Sequence, residues 1–334
     1  MNPEQPYDDA SIVEFSNFRT IKCRNIFPGQ DGTVRSLETY VLNDRTKIAC
    51  ASWDGSVKIR DFPSGNIVTT LAGHKSDVSA LTVYERNAVA MLASGSFDNT
   101  IKLWNLHDYS MVHTLSGHRG SIKALEVFTK DEKCFLASAS RDSTIKIWDL
   151  DNFALIKTLH AHFDYDVNTL SVFYRDNKAY LASGSDDKKI KIWDLAGYQP
   201  LATLIGHEDK VESLVVFDRY DKIVLASGDD KGLIKLWDME SYKCIATFQG
   251  HDRPIYAMEV IRCYEKTSLL SSARHLRIWD LDTNTELATF DTDSYIFALK
   301  AFVNGHRPCL VSGDGKDNTK VWMEDEEQMC CGIM

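Results

Sequence analysis

No run of about eighteen apolar residues occurs anywhere in the 334-residue chain, so a membrane-spanning helix is not expected. The first sixteen residues are polar and partly acidic, without the apolar stretch of a secretory signal. Lys and Arg never gather into a dense run, and the net charge is −10. A protein that grips a phosphate backbone needs a basic stripe or patch, so nucleic acid is not expected as a ligand. The eight cysteines include no pair at C-x-x-C spacing, the spacing of zinc and redox sites. Most stand singly in apolar runs, where Cys behaves as a small hydrophobe. There is no P-loop, dinucleotide fingerprint, HExxH or EF-hand loop, and no cofactor or metal is expected. Helical periodicity is absent too, which removes helix-rich repeats. The expected protein is reduced and cytoplasmic, with the nucleus as an alternative.

What the chain has is a phrase that returns. It reads ASGSFDNTIKLWNL at Ala93–Leu106, ASASRDSTIKIWDL at Ala137–Leu150, ASGSDDKKIKIWDL at Ala182–Leu195 and ASGDDKGLIKLWDM at Ala226–Met239. Degraded copies stand at Ala51–Asp61, Ser271–Asp280 and Val311–Trp322. Trp closes the phrase at 104, 148, 193, 237, 279 and 322, with Arg60 in that place in the first copy; the intervals are 44, 44, 45, 44, 42 and 43 residues. Gly-His keeps the same period at Gly73-His74, Gly117-His118, Gly206-His207 and Gly250-His251. Ala161-His162 fills the fourth slot, Gly29-Gln30 the first, and Asp293 falls near the seventh. Length alone suggests two or three domains, but a repeat of this period overrides that prior.

Within a copy the apolar residues alternate, as at Thr100–Trp104, and polar turns separate four such runs. Period-two alternation means strands, and four strands per ~40–45 residues is one propeller blade. Seven copies predict an all-β, seven-bladed β-propeller of four-stranded antiparallel blades. After Trp322 no apolar run remains for a fourth strand, whereas Phe18–Phe27 precedes the first Gly-Gln slot. That N-terminal strand is expected to complete the seventh blade and so remove an exposed edge. The boundaries read as a flexible tail over 1–16, the propeller over 17–323 and a flexible acidic tail over 324–334.

By its Gly-His and Trp-Asp landmarks, in phase over roughly Asn17 to Met323, the chain resembles the WD-repeat (WD40) family. The resemblance implies a hydrogen-bonded chain in which Asp orients His and Ser links it to Trp. The matching sets are His74, Ser94, Asp98 and Trp104; His118, Ser138, Asp142 and Trp148; and His162, Ser183, Asp187 and Trp193. The fifth copy has Lys231 in the Asp slot with Asp230 one place early, the sixth has no Asp, and the seventh has neither His nor Asp in register. Copies five to seven are therefore expected to be the less rigid side. A His-Asp-Ser set also evokes a hydrolase, but a catalytic constellation occurs once and needs an exposed nucleophile. Repetition in every good copy points to packing, and an enzyme is not expected. Asp186-Asp187 and Asp229-Asp230 read as turn aspartates.

The resemblance also places the residue before each turn Asp on the top rim of the ring. Those residues are Trp53, Phe97, Arg141, Asp186 and, as nearest equivalent, Asp230, with Tyr165 in a loop one residue longer than its counterparts. Aromatics and Arg are the types enriched at binding hot spots. The function implied is a scaffold or adaptor for proteins or peptides, a monomeric propeller working within a complex. Alternatives are a nuclear reader of chromatin peptides and a Gβ-like signalling subunit, although no N-terminal heptad helix precedes the ring. The end, Cys331-Gly332-Ile333-Met334, fits the C-a-a-X prenylation pattern with a terminus that favours farnesyl. One lipid gives marginal membrane binding, and Glu324, Asp325, Glu326 and Glu327 repel an anionic leaflet. Stable membrane contact through this tail needs a second acyl group, for which Cys330 is the candidate.

Overall fold

Alternation in each copy becomes four antiparallel strands, and the copies become seven sheets. The computed structural model describes residues 13–15, 21–29, 32–263 and 266–324. Two strands precede the first complete sheet: β1 (Val13–Phe15) and β2 (Ile21–Phe27). Blade one is β3 (Val34–Leu42), β4 (Arg45–Ser52), β5 (Ser56–Asp61) and β6 (Ile67–Ala72). Blade two is β7 (Val78–Arg86), β8 (Val89–Ser96), β9 (Thr100–Asn105) and β10 (Met111–Ser116). Blade three is β11 (Ile122–Lys130), β12 (Lys133–Ser140), β13 (Thr144–Asp149) and β14 (Leu155–His160). Blade four is β15 (Val167–Arg175), β16 (Lys178–Ser185), β17 (Lys189–Asp194) and β18 (Gln199–Ile205). Blade five is β19 (Val211–Arg219), β20 (Lys222–Asp229), β21 (Leu233–Asp238) and β22 (Lys243–Gln249). Blade six contains β23 (Ala257–Cys263), β24 (Lys266–Ser272), β25 (His275–Asp280) and β26 (Thr285–Asp291). Blade seven has only three C-terminal strands, β27 (Ile296–Asn304), β28 (Arg307–Asp314) and β29 (Thr319–Glu324).

The fourth strand of blade seven is β2, as the sequence predicts. It pairs antiparallel with β29, from Ile21 opposite Glu324 to Phe27 opposite Thr319. Ile21 and Phe27 are buried, and Phe27 packs in one cluster with Val34, Leu37 and Phe62 of blade one and Val311 and Val321 of blade seven. A side chain at Gly65, whose φ is +73°, would meet the Phe27 ring at 2.1 Å, so the turn after β5 is glycine by necessity. At the same seam a Cβ on Gly313 would meet Val34 at 2.4 Å. Blades one and seven therefore share one buried cluster across the seam.

The N-terminal tail is the first correction. Residues 13–15, expected in a flexible segment, form β1, which pairs parallel with the lower end of β23 and makes blade six five-stranded. Val13 and Phe15 are buried while Glu14 faces out. At the other end, strand β29 includes Glu324, the first residue of the expected tail. Cys330 and Cys331 lie outside the described residues.

Facing apolar surfaces between blades form the core. Each cluster joins neighbours, as where Phe128, Ala137 and Ile147 of blade three meet Val172, Leu181 and Trp193 of blade four. Burying one such side chain contributes about 1.5–3 kcal/mol. The face that carries the Gly-His connections and the turns between second and third strands is here the top. On the underside the ends of several inner strands reach the next blade. Arg86 donates to the Asp151 carbonyl and stacks over Phe153, and Lys130 donates to the Ala196 carbonyl and stacks over Tyr198. Phe153 and Tyr198 hold φ of 63° and 56°, a conformation that costs a bulky residue and that these contacts offset.

Phe27→Ala should cost about 3–5 kcal/mol, as for a buried aromatic, whereas Ile26→Ala on the exposed face of the same strand should cost less than about 0.5 kcal/mol. Urea unfolding followed by Trp fluorescence measures both; equal effects would show that β2 does not latch the ring.

Candidate functional site

Each well-formed blade carries one polar chain between its top connection and its third strand. In blade two His74 Nδ1 lies 3.0 Å from Asp98 Oδ2 and Nε2 lies 2.8 Å from Ser94 Oγ, while Trp104 Nε1 donates to the same Oγ at 2.9 Å. Burial opposes ionisation of Asp98, but hydrogen bonds from Thr100, the Lys75 amide and His74 outweigh it and hold the carboxyl at about 2. An ionised carboxylate can only accept, so Nδ1 carries the proton and Nε2 accepts from the Ser94 hydroxyl. Burial likewise pushes His74 below its ordinary value despite Asp98. Every member is satisfied, which is the condition under which a buried network stabilises. Blade three repeats the set with His118, Ser138, Asp142 and Trp148, and blade four with His162, Ser183, Asp187 and Trp193. In blade six the glycine before His is steric, since a Cβ on Gly250 would meet the Trp279 ring at 2.7 Å, whereas blade four accepts Ala161 in that place.

Blade five corrects the expectation of a broken network. His207 Nδ1 lies 2.8 Å from Asp229 Oδ2 and Nε2 lies 2.6 Å from Ser227 Oγ, and Trp237 donates to that Ser at 2.8 Å. Asp229 stands two places before the Asp slot, where the other sets have Ser96, Ser140 and Ser185; its side chain spans from there to the same His nitrogen. Asp230, taken as the near substitute, faces elsewhere. Blade five is as complete as blades two to four, so the less rigid side does not begin there. In blade six His251 keeps Ser271 at 2.7 Å and Trp279 donates to that Ser at 2.8 Å, with no Asp partner for His251 among the described residues. Burial, reinforced by Arg277 and His275, pushes His251 down to about 3. Blade seven substitutes an ion triad: Lys320 contacts Asp293 and lies 3.3 Å from Asp314, while Trp322 still donates to Ser312 at 2.8 Å. In blade one Arg60 replaces the indole and donates to the carbonyls of Gly65 and Pro28 at 2.7 and 2.8 Å.

These networks hold the top turns, and the turns build a funnel of 540 Å³ over the axis. Its inner ring comes from the first outward residue of each inner strand. Arg35 of blade one stacks at 5.1 Å over Trp53 and at 4.7 Å over Phe297. Tyr256 lies 4.6 Å from Phe297. Lys123 and Arg141 of blade three sit over Phe97 at 6.0 and 5.0 Å. Across the funnel Glu212 and Asp230 form an acidic wall. Desolvation, aided by neighbouring carboxylates, pushes both above their ordinary values, while desolvation pushes Lys123 down. One wall is thus aromatic and cationic, the other acidic. One level below, Lys300 pairs with Glu38 at 3.3 Å, and desolvation deep in the channel pushes Glu126 up to about 8 and Glu259 to about 7.

Of the rim residues expected from sequence, Trp53, Phe97 and Asp230 line the funnel. Arg141 joins through Phe97 and pairs with Asp166 at 3.3 Å. Asp186 braces the wall from outside, 2.8 Å from Lys210 and accepting from Asn168 at 2.7 Å. Tyr165 is not among the funnel residues; it stands half-exposed in the longer blade-four loop beside Phe163, which is 86% exposed. Sequence reasoning missed Arg35, Lys123, Glu212, Tyr256 and Phe297. Their signal was present: each follows a Val or Ile at or just before the start of its inner strand, a position that changes chemistry from copy to copy. Among the described residues no group of three or more His, Cys, Asp or Glu is placed to hold a metal ion, and no helix is long and apolar enough to cross a membrane.

The family model for the WD domain, G-beta repeat, matches residues 21–61, 65–105, 109–149, 153–194 and 198–238. The chain belongs to the WD40 family. No curated protein matches it. Each matched WD40 repeat begins on the outer strand of one blade and ends on the third strand of the next, one strand out of phase with the sheets. The first match opens on β2, the strand that closes the ring. The two unmatched copies are the sixth, whose network has no Asp, and the seventh, where Asp293 stands near the His slot. WD40 propellers generally bind proteins or peptides.

Asp229→Ala should destabilise by about 2–4 kcal/mol by orphaning buried His207, and Asp230→Ala by less than about 1 kcal/mol; chemical denaturation separates them, and the reverse order would refute the assignment. His251 stays neutral when folded but takes a proton in the unfolded chain below its ordinary 6.5. Its contribution therefore falls as pH drops from about 6.5 towards 3, by up to ~1.4 kcal/mol per pH unit. The stability difference between wild type and His251→Gln should narrow over that window; a pH-independent difference would refute it.

Proposed function

We propose that this WD40 propeller is a scaffold whose top funnel and rim dock an extended segment of a protein partner. The carrying observation is the polarised ring: Arg35, Lys123 and Arg141 beside Trp53, Phe97 and Phe297 on one wall, Glu212 and Asp230 on the other. A peptide fits it with an acidic or apolar side chain over blades one to three and a basic one over blade five. Each buried aromatic or Arg contact at such a centre contributes about 2 kcal/mol or more, and cation–π stacking pre-orders Arg35 and Arg141. Binding rather than catalysis is supported by the state of the His-Asp-Ser sets. Ser94, Ser138, Ser183, Ser227 and Ser271 are all fully buried, out of reach of any substrate, whereas a nucleophile must be exposed.

The acidic wall gives the basic-peptide reading its own support, since Glu212 makes no hydrogen bond or ion pair among the described residues. Affinity purification of tagged full-length protein from its native cells tests the face as a whole. Co-purified proteins should fall at least tenfold for Trp53→Ala/Phe97→Ala/Arg141→Ala with circular dichroism unchanged. An unchanged set would reject the top face. The reading extends to the tail, where a farnesyl on Cys331 with an acyl group on Cys330 would add membrane contact in the cytoplasm. Mass spectrometry that finds Cys331 unmodified and Gly-Ile-Met intact rejects it.

A further inference from the structure

A second docking site is marked by a missing ring. The residue six places after the first apolar residue of each inner segment is Tyr40, Tyr84, Phe128, Phe173, Phe217 and Phe302 in six blades, all buried. In blade six it is Ile261. The aromatic volume lost there is supplied by Phe15 of β1, which is fully buried in one cluster with Ile261, Leu270, Ile296, Leu299 and Trp322. Strand β1 pairs parallel with the channel-side edge of β23, Val13 opposite Ile261 and Phe15 opposite Cys263, and lies against β27 and β28. The underside of the blade six–seven seam thus seats β1 along the edge of β23, with Phe15 buried between the two blades.

Its resident occupant shows what the seam accepts: an extended segment with a β-branched residue, an outward polar residue, then an aromatic. Among the described residues three make one parallel pair, the less stable kind of ladder, and Val13 and Phe15 supply the burial. The closing strand β2, by contrast, runs over seven residues. The two are separate pairings on different blades, β1 on blade six and β2 on blade seven.

We propose that this seam is an exchangeable strand-addition site: an extended Val-x-Phe-like segment of another protein displaces residues 13–15 and pairs parallel with β23. This is peptide recognition by strand addition, in which main-chain bonds give affinity and alternate side chains give specificity. Residues 13–15 are a tethered competitor, so the affinity seen from outside is the intrinsic one reduced by the fraction of time the site is vacant. The site is remote from the funnel and does not depend on it.

The probe is a fluorescein-labelled peptide of residues 10–18, ASIVEFSNF, followed by anisotropy on the full-length protein. Phe15→Ala, which weakens the tethered competitor, should bind it at least tenfold more tightly than wild type. The same peptide with alanine in place of its first phenylalanine should bind neither. Equal binding to both proteins, or to both peptides, overturns the proposal. Should Phe15→Ala fail to fold, hydrogen exchange on the wild-type chain decides. Saturating peptide should speed exchange over residues 13–15, leave residues 21–27 unchanged and keep residues 261–263 protected. Exchange over 13–15 that quickens only together with 21–27 overturns it. So does concentration-dependent dimerisation of Phe15→Ala that the peptide does not reverse, because a second copy would then be the occupant.

Discussion

One constraint governs this molecule: a four-stranded sheet has two apolar faces and cannot cover either alone. Each blade is stable only because neighbours stand on both sides, and a ring is the arrangement in which no blade is last. The closing seam carries the whole requirement. There β2 and β29, from opposite ends of the chain, make one sheet, and Phe27 plugs the space between blades seven and one. The one-strand phase shift between repeat and blade turns the seam into a covalent overlap in place of a butt joint.

The polar networks follow from the same packing. With the blade faces dry, the top connections need fixed partners, and His, Ser, Asp and Trp supply a chain in which every donor meets an acceptor. The variants show that geometry is what matters. Asp229 reaches His207 from a different position, Lys320 with two carboxylates replaces His, and Arg60 replaces an indole by bonding two carbonyls. Different atoms hold the same turn, and the held turns aim the funnel residues.

Much of this was legible before any coordinates. Period, strand count and the latch follow from apolar alternation and the spacing of Trp, because a sheet's periodicity is written in adjacent residues. Asp229 was missed because a side chain reaching from two places early obeys distance and not register. Strand β1 was missed because Val13, Glu14 and Phe15 are too few to show alternation, and their partner lies nearly 250 residues away in sequence. The rim was half legible. Trp53, Phe97 and Asp230 line the funnel, but Arg35, Lys123 and Glu212 sit one strand further in, at positions where the repeat has no consensus. Tyr165 was drawn in by loop length, yet it is not among the residues that line the funnel.

The shared seventh blade has a consequence for synthesis. Residue 21 leaves the ribosome early, but its partner strand follows nearly three hundred residues later. At about 5–20 residues per second, that leaves β2 without its neighbour for roughly 15–60 s. Throughout that interval the nascent chain carries unpaired edges at both ends of a growing arc. Completion is therefore a single late event, and Ile21 and Phe27 stay without their partner strand until residues 319–324 emerge.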